Sequence, residues 1–135
     1  MGNQGFDEFV RSLRDKSSNY AVKATLLSQS LQAAESFLQQ IPGKIEVSVG
    51  EGWHKLEFIK HSSFGWKLWY GDDEDGGFVT SAPVEIKAEA AKLLPELLEL
   101  LVESINGKLE AVDAGLDALK KIPFLEIEGA DQHDK

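Results

Sequence analysis

Lys44 to Tyr70 read "KIEVSVGEGWHKLEFIKHSSFGWKLWY", and in this stretch the apolar spacing changes from helical to two. Ile45, Val47 and Val49 alternate with polar residues, as do His54, Leu56 and Phe58, and then Phe64, Trp66, Leu68 and Tyr70. Alternation puts each set on one face of a strand. "FVTSAPVEI" from Phe78 repeats the pattern through Thr80, Ala82, Val84 and Ile86. Four successive strands with short connectors predict an antiparallel meander.

Register follows from asking inward residues to face inward residues. Val47 opposite Leu56 leaves "GEGW" (50–53) as the first turn, and Phe58 opposite Trp66 leaves "HSS" (61–63) as the second. The same register sets Glu57 opposite Lys67 on the outer face, a compatible charge pair. Tyr70 opposite Phe78 leaves "GDDEDGG" (71–77) as the third turn. Pro83 lacks an N–H, so the fourth strand is expected at an edge or to end there.

Helical spacing flanks the strands. Phe6, Val10, Leu13, Ser17, Tyr20, Ala24, Leu27, Leu31, Ala34, Leu38 and Ile41 step by four and three, a heptad-type seam. A continuous helix over that span would be about 54 Å long. "DKSSN" (15–19) holds weaker helix formers, so one long helix and a helix broken there are both open. "IPG" at 41–43 ends the segment.

After the strands, Ala90, Leu94, Leu97, Leu101 and Ile105 form a second stripe, widened by Leu98 and Val102. Pro95 predicts a kink or a fresh helix start, and "NG" (106–107) a break, although Leu109, Val112, Leu116 and Leu119 keep the helical spacing. "IPFLEIEG" predicts a short extended piece, and 129–135 a flexible tail. The expected fold is a single α+β domain over 1–135: a long N-terminal helix, a four-stranded antiparallel meander, and one or two C-terminal helices packed on one sheet face. The order helix, two hairpins, helix resembles one class of prefoldin subunits. The likeness covers element order alone and implies paired long helices.

The chain has 135 residues and a net charge of −9. Residues 1–42 carry four acids and four bases, whereas residues 71–84 carry four acids and no base. The only arginines are Arg11 and Arg14, so the clustered cations that displace counterions from nucleic acid are missing, and direct nucleic-acid binding is not expected. The chain has no cysteine, which removes disulfides, thiolate metal sites and cysteine nucleophiles. It has no membrane-length apolar run, no basic-then-apolar leader, and Phe6 where a myristoylation signal needs Ser or Thr. A soluble cytoplasmic protein without membrane partners is expected.

"DDED" (72–75) invites comparison with a calcium loop. With Gly76 at the sixth position of such a loop, Asp73 and Asp75 fall on ligand positions, but Gly71 falls on the first and Ala82 on the twelfth. Two ligands fail, and a solvated turn is the better reading. His54, His61 and His133 lack metal-ligand spacing, and His61 beside Ser62 and Ser63 supplies no oxyanion hole. Glu96, Glu99 and Glu103 lie on or beside a polar helix face, without the desolvation that separates catalytic carboxylates. The sequence therefore predicts no catalytic residues, no metal and no cofactor.

The outer sheet face carries the expected recognition surface: Trp53, Ile59, Lys67, Trp69 and Val79, with Val79 opposite Trp69. Interfaces favour such aromatics. The leucine-rich helix, apolar beyond one stripe, predicts self-association. The expected function is a small acidic non-catalytic module that binds a protein partner through this face, the helices, or both. The alternatives are an acidic nucleic-acid mimic that blocks a basic partner, and a small-molecule binder with Tyr70, His54 and Thr80 near a pocket between sheet and helices.

Overall fold

The computed structural model describes residues 2–123. In chain order it holds helix α1 (Gly2–Gln40), strands β1 (Val47–Glu51), β2 (His54–His61), β3 (Gly65–Tyr70) and β4 (Gly77–Phe78), a 3-10 turn at Val79–Ser81, and helix α2 (Val84–Lys120). The strands form one antiparallel sheet in sequential order. The chain is therefore α+β, with a long helix, a meander and a single C-terminal helix. The segment from Phe124, with most of the expected extended piece and the 129–135 tail, lies outside the described residues.

Both helices are continuous. The "DKSSN" stretch stays helical, because weak helix formers lower propensity without blocking the backbone. Pro95 and Asn106–Gly107 are likewise absorbed into α2. At 39 and 37 residues, the helices are about 58 and 55 Å long. No described helix is long and apolar enough to cross a membrane.

The first two strand pairings are offset by two residues from the sequence reading. Val47 faces Phe58 rather than Leu56, and Phe58 faces Leu68 rather than Trp66. The first turn contains only Gly52 and Trp53, because Gly52 adopts φ 59°. A glycine at the first central position is what a tight type II′ hairpin requires. Since the offset is even, the faces are kept: Val47, Val49, Leu56, Phe58, Leu68 and Tyr70 are buried, Ile45 and Trp66 are half-buried, and His54 and Phe64, beside the turns, are exposed.

The third pairing differs by one residue, which reverses a face. Phe78 lies opposite Trp69, and Gly77 opposite Tyr70. The cause is the acidic loop. Asp72 Oδ1 accepts the Asp75 N–H at 2.6 Å, and Asp72 O accepts the Gly76 N–H at 2.9 Å. These bonds close the loop one residue early and turn Phe78 outward. β4 then ends at once, since Val79 enters the 3-10 turn. β4 lies at the sheet edge, as expected from Pro83, but ends five residues before it; Pro83 itself immediately precedes α2, and its carbonyl accepts the Lys87 N–H at 2.9 Å. Its fixed φ suits a helix start.

A two-residue β4 leaves much of the β3 edge without a strand. Helix α1 fills the gap with side chains. Glu35 Oε2 accepts the Leu68 N–H at 2.8 Å, and Gln39 Nε2 donates to Trp66 O at 2.7 Å. Open strand edges template unwanted pairing, and a covering helix removes that hazard. Leu31 and Leu38, flanking Glu35 on the same helix face, are buried, as are Val79, Ala90 and Leu97.

The chain divides into two units after Leu97, inside the continuous α2. The first holds α1, the sheet and the first turns of α2; the second holds the remainder of α2.

Candidate functional site

The five residues expected on the outer sheet face do not form one surface. Trp53 sits in the first turn and is 63% exposed. Ile59 and Lys67 face each other across β2 and β3, both half-buried. Lys67 is drawn toward Glu35, with Nζ 3.6 Å from Oε1, rather than toward Glu57. Glu57 faces Trp69 and lies 3.3 Å from Lys55 Nζ, a contact that pairs charges without a hydrogen bond to Glu57 Oε1. Val79 is wholly buried in the 3-10 turn and offers nothing to a partner; Phe78 takes the place expected for it opposite Trp69.

Trp69 is half-buried and held within the chain. Its Nε1 donates to Asp72 O at 3.1 Å, and Phe78 stands edge-on to it at 5.4 Å. Phe78 also packs edge-on to His61 and Phe64, at 5.2 and 5.4 Å. This cluster of His61, Phe64, Trp69 and Phe78 escaped the sequence reading because it depends on the reversed face of Phe78. Only Phe64, at the second turn, is strongly exposed.

The uncovered helix surfaces are larger. The α1 seam is buried at Leu38 and Leu31, half-buried at Leu27 and Ala24, and exposed at Tyr20, Leu13 and Phe6. Every residue from Arg11 to Lys23 is exposed. From Asn106 in α2 through Lys121 just past its end, every residue is exposed, including Leu109, Val112, Leu116 and Leu119. Solitary helices in water draw little stability from propensity alone and rely on packing of an apolar face.

A third feature is a cleft of about 460 Å³ at one end of the sheet. The Gly52–Trp53 turn, the acidic loop, the segment Ser81–Pro83 and the first turns of α2 enclose it. Trp53, Tyr70, Phe78 and Ile86 supply apolar wall. His54 Nδ1 and the Tyr70 hydroxyl are hydrogen-bonded at 2.8 Å. Burial, and secondarily the negative charge of Glu89, push the Tyr70 phenol above its ordinary pKa, while Lys92 opposes the shift. Of the three polar residues expected near such a pocket, Tyr70 and His54 line it and Thr80 does not. Glu89 and Asp75 line it as well, although neither stood out in the sequence.

No family model, curated protein or solved structure matches this chain. The residues themselves carry the functional argument.

Proposed function

We propose that this chain is a non-catalytic binding module that associates with a second copy through the uncovered halves of its two long helices. The observation that carries the reading is the α1 seam: one three-four spacing is buried at Leu31 and Leu38 and continues uncovered through Tyr20, Leu13 and Phe6. A heptad-type seam is complete only when a second helix fills it.

Area and length agree with a second copy as the occupant, and charge does not oppose it. Phe6, Phe9 and Tyr20 are 65%, 63% and 58% exposed; an aromatic side chain buries about 150–250 Å² when fully covered, so covering what these three still expose would remove roughly 300–450 Å² from water. That is close to half of the about 800 Å² that each partner contributes to a stable interface. The stretches Phe6–Lys23, exposed except at half-buried Val10, and Asn106–Lys121, exposed throughout, are similar in length, about 27 and 24 Å. The α1 stretch carries Arg11, Arg14, Lys16 and Lys23 against three acids. The α2 stretch carries Glu110, Asp113 and Asp117 against Lys108, Lys120 and Lys121. With net charges of +1 and zero, neither stretch repels the other across a pairing of α1 of one copy with α2 of the other. The outer sheet face is the weaker surface, since Trp69 and Lys67 are engaged within the chain.

Light scattering coupled to size exclusion tests this reading over a range of protein concentrations. The expected result is a dimer that the double substitution Leu13→Glu, Tyr20→Glu converts to a monomer. Both sites are exposed, so the sheet core should remain intact by near-ultraviolet circular dichroism. A wild-type chain that stays monomeric at high concentration overturns it.

A further inference from the structure

Independently of self-association, we propose that the cleft at the sheet end binds a small organic cation, an ammonium group carried on an apolar body. Its volume of about 460 Å³ lies within the ordinary span of small-molecule sites. The lining is chiefly apolar and aromatic. Trp53, Tyr70 and Phe78 offer three rings, and a ring face attracts cations through its quadrupole.

The charged residues of the wall sharpen the class. Glu89 and Asp75 line the cleft, and no lysine or arginine does so among the described residues. An anion entering would meet two acidic residues and no lysine or arginine in the lining. A cation would find acidic residues and aromatic rings in one lining. Lys92 lies 3.0 Å from Glu89 Oε1, but its side chain is 70% exposed, so solvent screens its competition. Tyr70 is 6% exposed and fixed by His54, so the floor of the cleft is built before any ligand arrives. The Tyr70 oxygen retains acceptor capacity beside its bond to His54. Trp53, mostly exposed on the lip, is the ring with most surface left to cover. This arrangement suits a ligand whose apolar body lies along Trp53 and Ile86 and whose charged end meets Glu89.

Three probes of one shape separate the alternatives at constant ionic strength: phenethylammonium, 2-phenylethanol and phenylacetate. Each is titrated into the full chain while amide and indole N–H correlation spectra are recorded. Phenethylammonium is expected to shift the Trp53 indole signal saturably, with Kd on the order of 1 mM for so small a ligand. It should bind roughly 3- to 30-fold more tightly than 2-phenylethanol. Phenylacetate should bind more weakly than either. Glu89→Gln should narrow the ammonium preference and leave alcohol binding unchanged; Trp53→Ala should weaken ammonium and alcohol alike. Both substituted positions lie outside the buried core, and thermal melts verify that the variants fold. Equal or tighter binding of phenylacetate, ammonium binding indifferent to Trp53→Ala and Glu89→Gln, or no saturable shift with any probe overturns the proposal.

Discussion

Glu35 accepts the Leu68 N–H at 2.8 Å, so a helix side chain occupies the edge position that the two-residue β4 leaves open. Glu35 is the buried charged residue among those described, 4% exposed between Leu31 and Leu38. Glu35→Ala leaves the Leu68 amide buried without an acceptor, and an orphaned buried donor costs about 1–3 kcal/mol. Glu35→Gln keeps an acceptor oxygen within reach and should cost less than half as much. Urea unfolding of the two variants checks the order. Equal losses would show that the charge near Lys67, rather than the hydrogen bond, carries the effect.

Gly76 and Gly77 are neighbours that should respond differently to alanine. A methyl group on Gly76 would lie 2.5 Å from Asp72 O and 2.7 Å from Tyr70 O, and would collide with Trp69 Nε1. These neighbours are mostly backbone, so the loop must open. Gly76→Ala should destabilise by about 2 kcal/mol or more, within the range of overpacking and lost hydrogen bonds. Gly77→Ala meets nothing within 4 Å and should be nearly neutral. Trp69 fluorescence, compared in a background lacking Trp53 and Trp66, reports whether the indole leaves Asp72.

Much of the architecture is legible in the residues, for reasons these two sites illustrate. Alternation fixes which face each residue of β1, β2 and β3 takes, and an error of two in register leaves those faces intact. The bond from Glu35 to Leu68 is not legible, because a glutamate on a helical seam looks like an interruption until the short β4 is known. The inward placement expected for Phe78 failed by one residue because Asp72 bonds twice within its own loop, a choice of partners that spacing cannot reveal. The observed fourth strand is shorter than the alternation from Phe78 to Ile86 predicts, because Pro83 suits both the end of an edge strand and the approach to a helix. Of the cleft, Tyr70 and His54 could be read from strand parity. Glu89 and Asp75 could not, since they reach it from a helix and a loop.

Pro95 lies eleven residues inside α2, exposed, in a helix that does not break. It has no N–H for the carbonyl four residues earlier, and its ring crowds that carbonyl. Proline is about 3 kcal/mol less favourable than alanine in a helix interior, and its restriction of the unfolded chain returns only about 0.4–1 kcal/mol. Pro95→Ala should therefore raise stability by roughly 2 kcal/mol and increase the helical circular dichroism signal. An unchanged or lower stability would show that Pro95 contributes to the packing of Leu94 and Leu97.

The last prediction concerns the floor of the cleft. The chain has two tyrosines, Tyr20 and Tyr70. In a Tyr20→Phe variant, only Tyr70 contributes phenolate absorbance, and its midpoint should lie above 10.0 because burial and Glu89 both disfavour the phenolate. The folded pKa is raised, so the stabilising contribution is fully present below the unfolded value near 10.0 and is lost as pH rises through the folded value. In that window the unfolded chain releases the Tyr70 proton more readily than the folded chain. Stability should therefore fall with rising pH more steeply than in Tyr70→Phe, which has no proton to release. At neutral pH the same substitution should cost about 1 kcal/mol through the lost bond to His54. Glu89→Gln should lower the Tyr70 midpoint toward 10.0 without reaching it, since Glu89 is the secondary cause and burial remains. A Tyr70 midpoint at or below 10.0 in the folded chain, or one indifferent to Glu89→Gln, would show that the phenol is not enclosed beside Glu89 as described.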